Sequence, residues 1–313
     1  MARLITRRLL VSVGLVFAVS LATFLLQSAA PGDMARTILG DTYTPDAHER
    51  LRHQLGLDQH ILVQYWHWLV NALSGDLGTS PISGLNVADE IASRLSVTSS
   101  LVICATLVTT IAGVALGVVS AVRGGRVGRA VDVLSLIGYA LPSFWFALGM
   151  VTVFSVMVNL LPATGYVPLS SSPGEWFRSM ILPVTTLALP GVALFAKQTR
   201  DAMLDVLSRD FVVALRANGV SERSIVFRHA LRNASIPVVT LVGLTLVSLL
   251  SGTVFVESVF AMPGLGGLAV QATAQHDIRM IQGVVVVFTL VVVTANLVVD
   301  LVYGWLNPKV RVR

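Results

Sequence analysis

Charged side chains make up only 12% of the 313 residues, against 54% that are hydrophobic. Soluble domains carry about 25% charged residues, so roughly half the usual solvating charge is missing. An apolar surplus of this size does not fit inside a water-soluble core, and the mean hydropathy of +0.77 agrees. Lipid is the solvent that the composition implies. Cysteine is nearly absent: Cys104 stands alone in an apolar run, which excludes a disulfide scaffold and a cysteine-rich metal centre. Catalytic signatures are missing as well. There is no Gly-x-x-x-x-Gly-Lys-Ser/Thr, no His-Glu-x-x-His and no Gly-x-Ser-x-Gly, so neither an ATPase site nor a hydrolase site is expected, and no cofactor or metal is expected in this chain.

What the sequence does contain is long uncharged apolar runs. A membrane-spanning helix needs about 20 apolar residues to cross about 30 Å of hydrocarbon. Six runs qualify, at residues 9–29, 98–122, 133–161, 180–196, 237–256 and 281–299, and none holds an acidic or basic residue. Inside hydrocarbon every backbone N–H and C=O must be paired within the segment, which makes the runs helices. The expected fold is therefore an all-α polytopic bundle with about six spans. Pro142, Pro183 and Pro190 fall inside two of the runs, where kinks are expected. Arg3, Arg7 and Arg8 before the first run, and Ser28-Ala29-Ala30 at its end, imitate a signal peptide. The run exceeds the ~7–15 residues of a signal core, so a retained helix is the expectation.

Lysine and arginine orient the bundle. With both termini inside, sixteen of the 22 basic residues are cytoplasmic: Arg3, Arg7 and Arg8; Arg123, Arg126 and Arg129; seven from Lys197 to Arg232; and Lys309, Arg311 and Arg313. Six are external. This asymmetry accounts for the pI of 9.9 without a nucleic-acid partner. The chain then divides into an N-terminal helix (1–30), an external region (31–97), a five-helix core (98–306) and a cytoplasmic tail (307–313).

Three segments lie outside the spans. The external region holds four of the six histidines, His48, His53, His60 and His67. Three are spaced by seven residues, but Gly56 interrupts any single helix and no carboxylate or cysteine shares the spacing, so a solvated loop is favoured over a metal site. Tyr65, Trp66 and Trp68 have the character of interfacial anchors. The second external segment, 257–282, contains Met262-Pro263-Gly264-Leu265-Gly266-Gly267. Without a preceding strand or a Gly-Lys-Ser/Thr end this is no phosphate loop; the glycines suggest φ > 0, close backbone approach and a tight or re-entrant turn.

The internal loop 197–236 reads as helix–turn–helix. Asp210 suits an N-cap, Ala214 and Ala217 lie three apart on one face, and Gly219 after Asn218 suits the left-handed position that ends a helix. Ser221 suits the cap of a second helix, with Glu222 in its first turn and Arg223, Arg228, His229 and Arg232 along it. A DNA-binding reading is disfavoured because bilayer helices tether both ends. Hydroxyls and rings in the spans mark candidate pathway residues: Ser143, Phe144, Thr185, Thr240, Ser248 and Ser251. Packing or back-bonding is the commoner role of such hydroxyls, and Gly113 and Gly117 form a small-xxx-small packing pair. Asp132, Glu257 and Asp300 all sit near span ends, unlike the midplane ion sites of secondary transporters and channels.

At this loop the sequence resembles the permease subunits of binding-protein-dependent ABC importers. Val213-Ala214-Leu215 stands at their Glu-Ala-Ala triplet and Gly219 at their glycine. Val213 replaces the glutamate, and His229-Ala230-Leu231-Arg232 stands where Ile-x-Leu-Pro would follow. The dipeptide/oligopeptide/nickel subfamily fits better. Phe211-Val212-Val213-Ala214-Leu215-Arg216-Ala217-Asn218-Gly219-Val220 and Arg228-His229-Ala230-Leu231-Arg232-Asn233-Ala234 resemble its version of the loop. Pro31-Gly32-Asp33, Leu55-Gly56-Leu57-Asp58, Gly75-Asp76-Leu77-Gly78-Thr79-Ser80, Pro142-Ser143-Phe144-Trp145, Val256-Glu257-Ser258-Val259-Phe260, Pro263-Gly264-Leu265-Gly266 and Asn307-Pro308-Lys309 are similar to its B-type subunit. His60 and Asn307 depart from the subfamily pattern.

The resemblance implies a multi-pass permease of a prokaryotic inner membrane with a type I importer fold. It would pair with a similar second permease as a heterodimer, with two ATPase subunits that hold ATP and Mg, and with an external binding protein. Cargo would be peptides, or by the same architecture a nickel chelate or haem. The helix at 210–218 would be the coupling element, and Glu257, Pro263, Gly264 and Gly266 would form an external gate turn.

Overall fold

The computed structural model describes residues 2–30 and 32–306. Pro31 and the expected tail 307–313 lie outside the described residues, as do the side chains of Arg3, Arg7 and Asp300. The described chain is helical apart from loops and one isolated antiparallel bridge, Thr79 to Asn86. It forms two compact units: Met1–Thr98 with Pro263–Val293, and Ser99–Met262 with Thr294–Arg313. Among the described residues, five helices are long and apolar enough to cross a membrane, and a bent helix pair supplies a sixth crossing if it counts as one span.

The first unit begins with α1 (Ala2–Ala29), followed by α2 (Met34–Leu39), α3 (Pro45–Gln54) and α4 (Ile61–Leu73). Phe17, Ser20 and Phe24 recur at three- and four-residue spacing, which places them on one face of α1. Tyr65 of α4 docks there: its hydroxyl lies 2.8 Å from Ser20 Oγ, and its ring meets Phe17 and Phe24 edge-on at 6.0 and 5.6 Å. The expectation of an interfacial anchor is thus corrected for Tyr65, which is buried. A phenol is buried without penalty once its O–H has a partner, and here the partner lies 45 residues back. Trp66, at 61% exposed, keeps the character of an anchor.

Asp33 caps α2, accepting from the Ala35 amide at 2.8 Å and the Arg36 amide at 3.4 Å. Its other oxygen is 2.6 Å from Nε2 of His48 on α3. Partial burial pushes the Asp33 carboxyl up, but the bonds from the His48 ring and the two amides together hold it below its ordinary value. A carboxylate lowered in the folded state contributes stability that is fully present above its unfolded pKa of about 3.9. That contribution is lost as the pH falls through the folded value. Asp33→Asn is therefore expected to lower Tm at pH 7, with the gap to wild type closing below about pH 4; melts of both proteins across pH test this.

Helix α3 ends as its glycine dictates. Gly56 takes φ +69°, while Gly56 N–H donates to the His53 carbonyl at 3.1 Å and Leu57 N–H to the Arg52 carbonyl at 2.9 Å. This paired closure satisfies carbonyls the helix would otherwise strand.

α5 (Val87–Arg123) gives its first residues to this unit, together with α12 (Leu265–Gln275) and the start of α13 (Ile278–Leu306). Val87, Ile91, Leu265, Leu268, Ala272, Met280, Ile281 and Val284 form its buried core. The glycine-rich stretch is corrected here. Gly264 takes extended backbone before α12, and Gly266 and Gly267 lie inside the helix, because Leu265, Leu268 and Ala272 form a buried stripe at helical spacing. None of these glycines has φ > 0; Ala261, at +49°, does instead. An added Cβ at Gly267 would touch nothing within 4 Å, so close approach is not its role.

The second unit takes the rest of α5, then α6 (Gly125–Ala140), α7 (Ser143–Val151), α8 (Pro173–Leu207), α9 (Asp210–Ala217), α10 (Glu222–Ser224), α11 (Leu231–Val259) and the end of α13. The expected straight span 133–161 is corrected: α6 and α7 with its π-turn Thr152–Met157 meet at 99°, and helix ends at Met157. Pro142 explains the break, since the ring of a proline drives the preceding residue out of the helical region; Leu141 takes φ −71°, ψ +124°. Pro183 and Pro190, by contrast, lie inside the continuous α8.

Lipid tails are as apolar as leucine, so spans associate through close packing rather than burial from water. Gly113 and Gly117 do serve that packing. A Cβ on Gly113 would lie 2.4 Å from Phe195 Cβ, and one on Gly117 would lie 2.6 Å from the Ala196 carbonyl of α8. Toward the cytoplasmic end, Arg200 of α8 pairs with Asp132 of α6 at 3.2 Å.

Candidate coupling site

Helix α9 begins one residue earlier than a capping aspartate would place it. Arg209 takes the N-cap position with extended backbone, and Asp210 is the first helical residue. The expectation that Asp210 caps is corrected, though a carboxylate in the first turn still complements the helix dipole. Val212 is fully buried and anchors the helix. Phe211, Val213, Ala214, Arg216, Ala217, Asn218 and Gly219 are exposed, and Leu215 is half-buried. One short helix therefore presents a largely uncharged surface around two alanines, narrow enough for another backbone to approach.

The C-terminal end is closed as the sequence anticipates. Gly219 takes φ +75°, donating to the Arg216 carbonyl at 3.0 Å, while Val220 N–H donates to the Leu215 carbonyl at 3.1 Å. Asn218 Nδ2 adds a bond to the Ala214 carbonyl at 2.9 Å. Arg216 then reaches across the turn to Glu222, Nε to Oε1 at 2.6 Å and Nη2 to Oε2 at 3.3 Å. This hydrogen bond pushes the Arg216 guanidinium further up and holds Glu222 below its ordinary value. The bidentate pair was not foreseen from the sequence. Its signal is an Arg–Glu spacing of six residues spanning a glycine turn.

Ser221 occupies the N-cap of α10, but its side chain makes no capping bond; its carbonyl accepts from the Ile225 amide at 3.0 Å. The second helix is not a loop element as expected. Helix runs from Glu222 through a π-turn, Ile225–Ala230, into α11 without a break, just as α8 extends to Leu207. Only Ser208–Arg209 and Asn218–Ser221 are non-helical between these two spans. Val226, Ala230 and Ala234 pack with Met203 and Val206 of α8 and Val118 and Ala121 of α5, which mounts the site on three helices. Arg223 and Arg228 are exposed and His229 is half-buried, forming the basic flank.

The candidate pathway residues come from three helices, α7, α8 and α11. Thr240, Ser248 and Ser251 share one exposed face of α11, with Ser248 and Ser251 bonded to their own helix at the Leu244 and Val247 carbonyls. Thr185 bonds the Ile181 carbonyl at 2.6 Å within α8. Ser143 opens α7, and the neighbouring Phe144, 48% exposed, stacks obliquely on Trp145 at 5.6 Å. Of the expected gate turn, Glu257 is buried in α11 of the second unit, and its carbonyl accepts from the Met262 amide at 2.8 Å. Pro263, Gly264 and Gly266 belong to the first unit, where the Leu265 amide donates to Thr98 Oγ1 at 2.8 Å.

The model of binding-protein-dependent transport system inner membrane components matches residues 113–312, which include the whole coupling site, and the companion N-terminal model matches residues 1–102. The chain belongs to this family. Among its curated relatives, a Brucella abortus protein named as a peptide transport system permease is 40% identical over 99% of both chains. The Escherichia coli glutathione transport system permease protein GsiC is also 40% identical over 99% of both. A Sinorhizobium fredii protein named as a peptide ABC transporter permease is 37% identical over 98% of both. Among solved structures, a chain of the inward-facing MetNI methionine ABC transporter superposes with a TM-score of 0.57 at 16% identity. The match covers 69% of this chain and 96% of that one, and gives the family member its importer-permease fold. This is an inner-membrane transport component, and the channel and secondary-transporter readings fall away.

Proposed function

We propose that this chain is the permease subunit of an ATP-driven peptide importer, providing half of the translocation path and taking its drive from a separate ATPase. It pairs with a similar second permease, two ATPase subunits that bind ATP and Mg, and an external binding protein. The observation that carries the reading is α9, a short exposed helix around Ala214 and Ala217, closed by Gly219 and clamped by Arg216 and Glu222 to the helix that continues into a span. Peptide cargo is supported by the names of relatives that align end to end with this chain. When the ATPase dimer closes on ATP, α9 moves with it and the attached spans rock as bodies, turning the path from outward- to inward-facing.

The test is uptake of labelled short peptides by proteoliposomes holding the assembled importer. Uptake is expected to require ATP and the binding protein, and to continue after ion gradients are dissipated. Uptake that stops with the gradients, or that runs without ATP, removes the proposal.

A further inference from the structure

We propose that α4 lies inside the external leaflet of the bilayer, a half-depth helix with lipid acyl chains covering one face. Its depth follows from what it touches. The uncharged span of α1 runs from Leu10 to Ala29, and with both termini cytoplasmic its C-terminal half lies in the external leaflet. Tyr65 docks on Phe17, Ser20 and Phe24, and Ser20 lies about 14 Å below the Ala29 end at the usual helical rise. Gln282, whose Nε2 donates to the Ser20 carbonyl at 3.0 Å, lies about 6 Å inside the span of α13 by the same measure. Both helices therefore place the Tyr65 contact below the headgroups. At 13 residues, α4 is about 20 Å long and stops short of the ~30 Å hydrocarbon core. Helix ends at such a depth need their polar groups paired. The Leu62 amide donates to His60 Nδ1 at 3.3 Å and the Val63 amide to the His60 carbonyl at 2.8 Å. At the other end, Ser74 Oγ donates to the Asn71 carbonyl at 2.7 Å and the Gly75 amide to the Ala72 carbonyl at 3.1 Å.

The faces of α4 divide as this position requires. With 3.6 residues per turn, Leu62, Val63, Trp66, Val70 and Leu73 share one arc of about 100°, and all five are exposed. Tyr65, Leu69 and Ala72, buried or half-buried, lie on the side that carries Tyr65 to α1. Gln64, His67 and Asn71 occupy the remaining arc and line a cavity of about 530 Å³. No lysine, arginine, aspartate or glutamate occurs from Ile61 to Leu73, so α4 lacks the basic face by which surface-lying helices hold headgroups. The helix it packs against is itself covered by lipid at this level: Leu25 and Leu26, in the same half of α1, are exposed. An apolar arc without charge, held against a span at hydrocarbon depth, takes acyl chains as its occupant.

The test places single cysteines in a Cys104→Ser background: Leu62→Cys, Trp66→Cys and Val70→Cys on the apolar arc, His67→Cys and Asn71→Cys on the polar one. Each is spin-labelled in the assembled importer in nanodiscs. Collisions with oxygen, which concentrates in hydrocarbon, are compared with collisions with a water-soluble nickel chelate. The oxygen-to-nickel ratio is expected to be severalfold higher on the apolar arc than on the polar arc. It is also expected to exceed, by a similar factor, the ratio at Glu49→Cys, an exposed position on α3. Equal ratios on the two arcs overturn the proposal, as does an apolar arc that matches Glu49→Cys. Protection of the apolar arc from both reagents overturns it in favour of a protein contact, and repeating the measurement without the binding protein tells that partner from the second permease. Leu62→Cys and Val70→Cys keep the test decisive if Trp66→Cys fails to fold.

Discussion

Ala214→Glu is expected to abolish peptide-stimulated ATP hydrolysis in the assembled importer while leaving the chain inserted and folded. Ala214 is exposed on α9, so a longer side chain can extend into solvent. Its effect falls on whatever docks there. A buried carboxylate left without a partner costs about 3–5 kcal/mol, which is a hundredfold or more in occupancy of the docked state. Gly219→Val should give the same result by another route. The left-handed conformation at φ +75° penalises a β-branched residue, and losing it opens the turn that holds Arg216 opposite Glu222. ATPase assays with and without peptide, alongside a melt of each purified variant, separate lost coupling from lost fold. Full stimulation in both variants would remove α9 from the coupling role.

The second large effect concerns the fold. Gly117→Ala adds one carbon, yet that carbon would lie 2.5 Å from Thr199 Cβ and 2.6 Å from the Ala196 carbonyl. The second of these is backbone of α8, which cannot rotate away, so α5 and α8 must separate. Overpacking of this kind costs about 1–3 kcal/mol, and in a bundle held by close packing the loss spreads along the helix pair. The same replacement at Gly149, where a Cβ would meet nothing within 4 Å, is expected to be neutral or to stabilise by about 0.4–1 kcal/mol through the unfolded state. Melts in detergent of the two variants test the contrast. Equal behaviour would mean that the α5–α8 approach is looser than these distances state.

The spans were legible because absence of charge over twenty residues is a property of the run alone. The coupling helix was legible because its end depends on a single glycine whose conformation few other residues adopt, and because its ten residues resemble a known loop. What was not legible depended on partners distant in sequence. Tyr65 reads as an anchor until Ser20 is seen to take its hydroxyl. The glycines after Pro263 read as a turn until Leu265, Leu268 and Ala272 are seen to share a core with Met280 and Val284. The break at Leu141 lay in the sequence, but a proline in a membrane run does not announce whether neighbours will satisfy it: Pro183 and Pro190 are absorbed by α8, and Pro142 is not. Helix starts were off by one at Asp210 because an acidic residue suits both the cap and the first turn.

Helix α1 shows an uneven division of constraint along its length. Leu10, Val11 and Val13 are 62–70% exposed, whereas Ser20 and Phe24 are buried, with Ser20 held between the Tyr65 hydroxyl and the side chain of Gln282. The exposed positions, Leu26 among them at 71%, need only be apolar, whereas Ser20 and Phe24 answer to particular neighbours at particular distances. Mutational drift among leucine, valine and isoleucine is thus free at the exposed positions and arrested at the docking ones, so residues of equal hydropathy on one helix carry very different amounts of information.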